Sequence, residues 1–259
     1  MASRFTLPGS EKALFDRAEL ARRFALAREP MVGADEADRP PLRYLLAEAS
    51  HVLEPVRRLF RRLDLETTDR PRTVMLLPGF ATHPVRMRYM AQQLEKAGHT
   101  VKRWGLGFNL GPTTENIGQL EHRLLEISER YGDKVVLVGW SLGGLFAREL
   151  AHRHPQRVAK VITMGSPFSG NPRSNNAWRI YQFVAGHRVD QSPVERDIAS
   201  KPPVETVAFW SARDGIVSPR SSRGRPGERD RAVALRCNHL GFSSSKECIE
   251  AVLRELDDA

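Results

Sequence analysis

A glycine-rich run around Ser141 has the residue types and spacing that nucleophilic chemistry requires. The run reads Gly-Trp-Ser-Leu-Gly over residues 139–143, and four aliphatic residues, 135–138, precede it. This order predicts a buried strand, a turn too tight for side chains at the glycines, and a helix that begins near Leu142. A serine on such a turn projects its hydroxyl above the sheet, where it could attack a carbonyl carbon. The alternative is an ordinary glycine-rich loop between a strand and a helix.

A nucleophilic serine also needs a base and an acid, which two later loops supply. A serine hydroxyl is weak near neutral pH, so a base must take its proton and an acid must orient the base. His239 is the candidate base, because it lies between the last predicted strand and the last predicted helix. Asp214 is the candidate acid, because it follows another predicted strand in an Asp-Gly loop. Asp190 is a weaker alternative acid, since it lies in a presumed cap.

Acyl transfer further requires backbone donors for the oxygen that becomes negatively charged. One donor is expected at Leu142, the residue after the predicted nucleophile. The second is expected at Phe80, in the loop Pro-Gly-Phe-Ala at residues 78–81. Pro78 has no N–H, and the glycine after it lets the backbone approach closely. We therefore predict an oxyanion hole formed by the N–H groups of Phe80 and Leu142, and chemistry that needs no metal and no organic cofactor.

Alternating strands and helices must position these groups. Strand patterns occur at 73–77, 100–104, 135–138, 158–164, 204–210 and 232–236, and helical patterns at 84–97, 113–131, 142–154 and 246–256. The alternation predicts an α/β fold with a doubly wound, mostly parallel sheet. Active sites in such sheets lie at the carboxyl ends of the strands, where the candidate residues fall.

Two further segments are predicted outside the sheet. Residues 1–70 lack strand patterns and predict a helical N-terminal extension, with apolar residues at helical spacing from Leu42 to Leu63 and arginines on the other face. This stripe favours packing against the core or a second subunit in a homo-oligomer; peripheral contact with a membrane surface is the alternative. An insertion at about 168–203, which contains Trp178 and Phe183, predicts a small helical cap. The cap is either a lid over an acyl pocket or a packed helix remote from substrate.

Composition limits the remaining functions. The 259 residues carry 40 basic and 31 acidic side chains, a net charge of +9, yet no motif for nucleic acid accompanies the excess. Neither a transmembrane run nor a secretory leader is recognisable, which predicts a cytoplasmic protein. Cys237 and Cys248 are too few for a disulfide framework, and free buried thiols are favoured over one local bridge.

Five motifs together resemble the bacterial lipase and esterase branch of the α/β-hydrolase superfamily. They are Leu-Pro-Gly-Phe at 77–80, Gly-Trp-Ser-Leu-Gly-Gly at 139–144, Gly-Ser-Pro-Phe-Ser-Gly at 165–170, Arg-Asp-Gly-Ile-Val at 213–217 and Asn-His-Leu-Gly at 238–241. The stretch at 104–112 also resembles a loop of lipase-like proteins. The resemblance covers residues 72–256 and implies a hydrolase domain over residues 71–259. It departs at 78–79, where Pro-Gly replaces the His-Gly frequent in lipases.

This resemblance implies an enzyme that cleaves carboxylic esters by two-step acyl transfer. Ser141 would be the nucleophile, His239 the base and Asp214 the orienting acid, acting on a small-molecule acyl ester. An acyltransferase or thioesterase using the same three residues is one alternative. A non-catalytic binding protein that keeps the fold is another.

Overall fold

A parallel sheet organises the chain from residue 73 onward. The computed structural model describes residues 17–28, 39–54, 56–57, 61, 63, 65–170, 176, 178, 182 and 197–259. Within them, six strands lie in the order β2-β1-β3-β4-β5-β6, and all five pairings are parallel. The strands are β1 (Thr73–Leu77), β2 (Thr100–Arg103), β3 (Val135–Trp140), β4 (Val158–Met164), β5 (Glu205–Ser211) and β6 (Arg231–Leu235).

Helices connect the strands and precede the sheet. The described α-helices are α1 (Arg17–Arg28), α2 (Leu42–Glu48), α3 (Arg88–Lys96), α4 (Thr114–Tyr131), α5 (Leu142–Arg153), α6 (Pro219–Arg223) and α7 (Lys246–Asp257). Short 3-10 helices span Ala49–Leu53, Pro84–Met87 and Leu240–Ser243. The helix predicted at 84–97 therefore begins with a 3-10 turn, in which His83 accepts a hydrogen bond from the Val85 N–H at 3.2 Å. None of the described helices combines the length and the apolarity that crossing a bilayer demands.

Both faces of the sheet are buried, as a doubly wound fold requires. Alternate side chains of a strand point to opposite faces, and on β1 Val74 and Leu76 join a core formed with α3 and α7. Met75 and Leu77 join the opposite core, formed with α4 and α5. The predicted α/β class and parallel sheet are confirmed, with a helical region before the sheet.

The N-terminal region has an unexpected distribution of side chains. Among its described residues, the buried ones are Pro40 and three polar or charged residues, Glu48, His51 and Glu54. Leu46 and Val52 of the predicted apolar stripe are 76% and 80% exposed. These two side chains therefore do not pack against the core, whereas Leu63, at the end of the stripe, does. Contact of the stripe with a second subunit stays a prediction. The region also contacts the sheet domain through hydrogen bonds, as described below.

The predicted cap falls largely outside the described residues. This includes Phe183 and the alternative acid, Asp190. Of its described members, Trp178 is buried, and Asn176 donates its side-chain amide to the Gly215 carbonyl at 2.7 Å and the Pro40 carbonyl at 3.2 Å. The two cysteines have free thiols, as favoured above.

Candidate active site

Ser141 lies on a strained turn between β3 and α5. Its backbone has φ 53° and ψ −121°, a combination that side-chain-bearing residues rarely adopt. The turn is held by hydrogen bonds from the Ser141 N–H to the Met164 carbonyl, 2.8 Å, and from the Gly144 N–H to the Ser141 carbonyl, 3.0 Å. The predicted nucleophile is thus fixed at the carboxyl end of a central strand.

The glycines beside Ser141 are required by close backbone contacts. A Cβ atom on Gly139 would lie 2.4 Å from the Gly143 carbonyl oxygen, and one on Gly143 would lie 2.2 Å from the Leu77 carbonyl oxygen. A Cβ on Gly144 would lie 2.0 Å from the Ser166 hydroxyl oxygen. Because real Cβ atoms do not approach so closely, only glycine lets β3, α5 and the end of β1 meet.

Asp214 and His239 form a buried pair beside this turn. The His239 Nδ1 atom lies 2.8 Å from the Asp214 Oδ2 atom, and both side chains are almost wholly inaccessible to solvent. The two residues meet because β5 and β6 are neighbours that end in register, with Ser211 opposite Leu235. Sequence reasoning placed both residues after adjacent strands, and the structure brings them together.

Backbone amides hold the Asp214 carboxylate in place. Its Oδ1 atom accepts hydrogen bonds from the Ile216 and Val217 N–H groups, each at 2.8 Å, which leaves Oδ2 directed to His239. These bonds fix the orientation of the carboxylate relative to the imidazole. The arrangement can hold the ring proton on Nδ1 and leave Nε2 to accept another.

The charges around His239 favour its protonated form. Burial by itself would lower the pKa of His239, but the charge and hydrogen bond of Asp214 and the charge of Glu48 together raise it. A raised pKa makes the ring a stronger proton acceptor and stabilises the imidazolium that forms when it takes a proton. This direction of the pKa shift agrees with the predicted role of His239 as a base.

Trp140 connects the serine turn to the histidine loop. Its indole N–H donates to the His239 carbonyl at 3.1 Å, and the two ring centroids lie 5.9 Å apart. Phe242 packs edge-on against the same imidazole at 6.2 Å. Among the described residues no hydrogen bond joins the Ser141 hydroxyl to the His239 ring, so the histidine–aspartate contact is formed and the serine–histidine contact is not.

The predicted oxyanion loop lies against the serine turn. A Cβ on Gly79 would lie 3.3 Å from the Ser141 Cβ, which places the start of this loop beside the nucleophile. At the other donor, α5 begins at Leu142, so the helix itself provides no acceptor for the Leu142 N–H. The loop that contains Phe80 therefore begins beside Ser141, and Leu142 follows Ser141 in the chain.

Asn109, a residue of the sheet domain, holds the predicted oxyanion loop through hydrogen bonds. Its side-chain amide donates to the Pro78 carbonyl at 2.8 Å, and its backbone carbonyl accepts from the Ala81 N–H at 2.7 Å. Ala81 has φ 53°, a strained value for a residue other than glycine. The fully buried Asn109 thus brackets Phe80 on both sides. Sequence reasoning noted the loop at 104–112 without assigning this residue a role.

Glu48, from the N-terminal region, is the second residue that sequence reasoning missed. Its carboxylate accepts hydrogen bonds from the backbone N–H groups of His239, 2.7 Å, Leu240, 3.0 Å, and Gly215, 3.1 Å. These donors belong to the loops that carry the predicted base and the predicted acid. A glutamate in a charged helical region is ordinarily read as solvent-exposed, and its partners lie too far along the chain for local pattern to reveal them.

Comparison with known proteins agrees with this architecture. The family model described as alpha/beta hydrolase fold matches residues 72–186. A pimeloyl-acyl-carrier protein methyl ester esterase of Edwardsiella ictaluri is 32% identical over 151 residues, which cover 55% of each chain. An enzyme of the same name from Vibrio parahaemolyticus is 40% identical over 68 residues, 26% of each chain. The chain thus spans about half the length, or less, of the curated relatives it matches.

Solved structures share the fold at low sequence identity. The mature lipase of Bacillus licheniformis has a TM-score of 0.55 at 16% identity, over 76% of this chain and 96% of that chain. The monoacylglycerol lipase of Paleococcus ferrophilus has a TM-score of 0.52 at 17% identity, over 76% and 99%. The chain therefore has the α/β-hydrolase fold, and residues 72–186 match the model of that family. Among the curated relatives that it matches are bacterial methyl ester esterases.

Proposed function

We propose that this protein is a serine hydrolase that cleaves carboxylic esters through an acyl-enzyme on Ser141. The observation that carries the proposal is the buried His239–Asp214 pair, 2.8 Å apart, beside a serine held at φ 53°. Nucleophile, base and acid follow one another in the chain in the order usual for this fold. The curated relatives named as methyl ester esterases support the same class of reaction.

The first half of the reaction forms the acyl-enzyme. The Ser141 Oγ attacks the ester carbonyl carbon while His239 Nε2 takes the hydroxyl proton, and Asp214 stabilises the resulting imidazolium. The N–H groups of Phe80 and Leu142 stabilise the negative oxygen of the tetrahedral intermediate. The imidazolium then returns its proton to the leaving alkoxide, and the alcohol departs. Catalytic hydrogen bonds that are long in a free enzyme can tighten with substrate bound, which applies to Ser141 and His239.

The second half releases the acid. His239 takes a proton from a water molecule, and the oxygen of that water attacks the acyl carbonyl carbon. The second tetrahedral intermediate uses the same two N–H groups. When it collapses, the Ser141 Oγ leaves with the proton held by His239. The products are a carboxylic acid and the free enzyme.

The experiment treats the full chain with a fluorophosphonate probe and with p-nitrophenyl and methyl esters of increasing acyl length. We expect labelling at Ser141, mapped by mass spectrometry, and ester hydrolysis. Activity should fall as pH falls through the His239 pKa, because the protonated ring cannot act as a base. Since this pKa is raised, the acid limb should be centred above about 6.5, the usual value for imidazole.

Ser141→Ala is the decisive variant, and Ser166→Ala is its matched control. We expect Ser141→Ala to abolish labelling and to lower kcat by about 10⁶-fold, the scale seen when a nucleophile is removed. Ser166 is a second buried serine beside the turn, and its hydroxyl has no hydrogen-bond partner. The Ser166→Ala variant should still react with the fluorophosphonate probe and still hydrolyse esters. An unlabelled wild-type protein that hydrolyses none of these esters would overturn the proposal.

A further inference from the structure

Glu48 is a carboxylate that hydrogen-bonds to the loop of the predicted base, and it comes from outside the sheet domain. Its Oε1 atom accepts from the N–H groups of both His239 and Gly215, and its Oε2 atom accepts from Leu240. The side chain is 6% exposed. A buried carboxylate costs free energy unless it is hydrogen-bonded. Within the part of the chain that the structure describes, the hydrogen bonds of the Glu48 carboxylate all come from these two loops.

The three donors all lie in the loops that carry the predicted acid and the predicted base. Gly215 follows the predicted acid, His239 is the predicted base, and Leu240 follows it. One carboxylate group therefore joins two loops that must keep Asp214 Oδ2 within hydrogen-bond distance of His239 Nδ1. A shift of either loop would change that 2.8 Å contact directly.

Other contacts dock α2 against the same loops. A Cβ on Gly215 would lie 2.3 Å from the Tyr44 carbonyl oxygen, so the backbone of α2 lies directly on the acid loop. The Asn238 side chain donates to the Ala47 carbonyl at 3.4 Å, beside His239. Farther along, Arg61 donates to the Ser244 carbonyl at 2.6 Å. The N-terminal region thus contacts the acid loop, the base loop and the turn that follows the base loop.

We propose that Glu48 is a positioning residue for ester hydrolysis, and that the N-terminal region completes the active site by holding the acid and base loops together. This inference rests on the function proposed above. Glu48 acts through backbone amides and through its charge, without contact to the ester. The negative charge also favours the imidazolium form of His239, in agreement with the raised pKa of that residue.

The experiment compares Glu48→Ala and Glu48→Gln with wild type, using kcat, KM, thermal unfolding and the pH dependence of kcat/KM. For Glu48→Ala we expect kcat to fall by about 100-fold with little change in KM, because small displacements of catalytic groups have effects of this order. For Glu48→Gln, which keeps one accepting oxygen, we expect a loss of about tenfold. The acid limb of Glu48→Gln should move to lower pH, since removing the negative charge lowers the pKa of His239.

Glu129→Ala is the control variant, because it removes a carboxylate that lies outside the acid and base loops. Glu129 is an exposed residue of α4 whose ion pair with Arg157 spans 3.7 Å, and its removal should leave kcat and the acid limb unchanged. The movement of the acid limb separates positioning from general destabilisation, which would not change the His239 pKa. If Glu48→Ala does not fold, Glu48→Gln decides the question.

Failure of the proposed function and failure of the proposed role of Glu48 are distinguishable, because the wild-type protein is measured first. A wild-type protein that neither labels nor hydrolyses esters overturns the proposed function itself. An active wild type whose folded Glu48→Gln variant keeps the same kcat and the same acid limb overturns the role of Glu48 alone.

Discussion

Helices α2 and α5 both border the active site, yet they use their apolar residues in opposite ways. In α5, Phe146 and Leu150 are buried against the sheet. In α2, Leu42 and Leu46 are 69% and 76% exposed, and the buried residue is Glu48. The first helix is held by hydrophobic burial and the second by hydrogen bonds to loop backbones. Apolar periodicity therefore predicts a helix in both regions, but it predicts the inward face in only one of them.

The difference in leucine burial between α5 and α2 is tested most directly by replacing one leucine in each helix with alanine. Leu150→Ala in α5 should lower the free energy of unfolding by about 2–5 kcal/mol, because it removes buried methyl groups and leaves a cavity. Leu46→Ala in α2 should change it by no more than about 0.5 kcal/mol, because the side chain is largely in water. Denaturant unfolding measures both. Equal losses would contradict the difference between the helices.

Gly215→Ala tests the docking of α2 without altering any side chain of α2. The new Cβ would lie 2.3 Å from the Tyr44 carbonyl oxygen and 2.5 Å from the Leu45 nitrogen, so the helix must move and the Glu48 bonds must lengthen. We expect kcat for ester hydrolysis to fall by about 100-fold. Combining it with Glu48→Ala should add little, because both changes break the same contact.

Gly118→Ala is the matched control for this substitution. Gly118 lies within α4, and a Cβ there meets nothing within 4 Å. Alanine should leave kcat unchanged and raise helix stability by about 0.5–1 kcal/mol. If Gly215→Ala also leaves kcat unchanged, close contact between α2 and the acid loop has no role in catalysis.

Asn109→Ala tests a loop that is held by a residue of the sheet domain, whereas the acid and base loops are held by the N-terminal region. Loss of the bond to the Pro78 carbonyl should let the predicted oxyanion loop relax, and we expect kcat to fall by about tenfold. This is smaller than the loss of a whole oxyanion donor. Asn116→Ala, which removes a bond to the Gly111 carbonyl farther along the chain, should have little effect on kcat. Steady-state kinetics of both variants would show whether the two asparagines differ.

The residues that sequence could identify are those that follow strands. Ser141, Asp214 and His239 each come after a strand of one parallel sheet, and parallel strands bring their carboxyl ends to one edge. The bounds of the central strands β1, β3 and β4 could also be predicted within a residue or two, since buried parallel strands are runs of aliphatic residues.

Glu48 and Asn109 could not be found in this way. Each acts through hydrogen bonds to backbone groups, which carry no residue-specific pattern. The partners of Glu48 lie 167 to 192 residues away along the chain. The one local signal was Gly215, where the Asp-Gly pair indicated a turn. The structure shows that this glycine also admits the Tyr44 carbonyl of α2.

The distance along the chain between Glu48 and His239 has a consequence for biosynthesis. The two residues are separated by 191 positions, so at about 5–20 residues per second the ribosome makes the glutamate roughly 10–40 s before its principal partner. During that interval α2 has neither the acid loop nor the base loop to dock on. The carboxylate must therefore remain hydrated until the last strand has paired, and hydrolytic competence should appear as one of the latest events in the maturation of the nascent polypeptide.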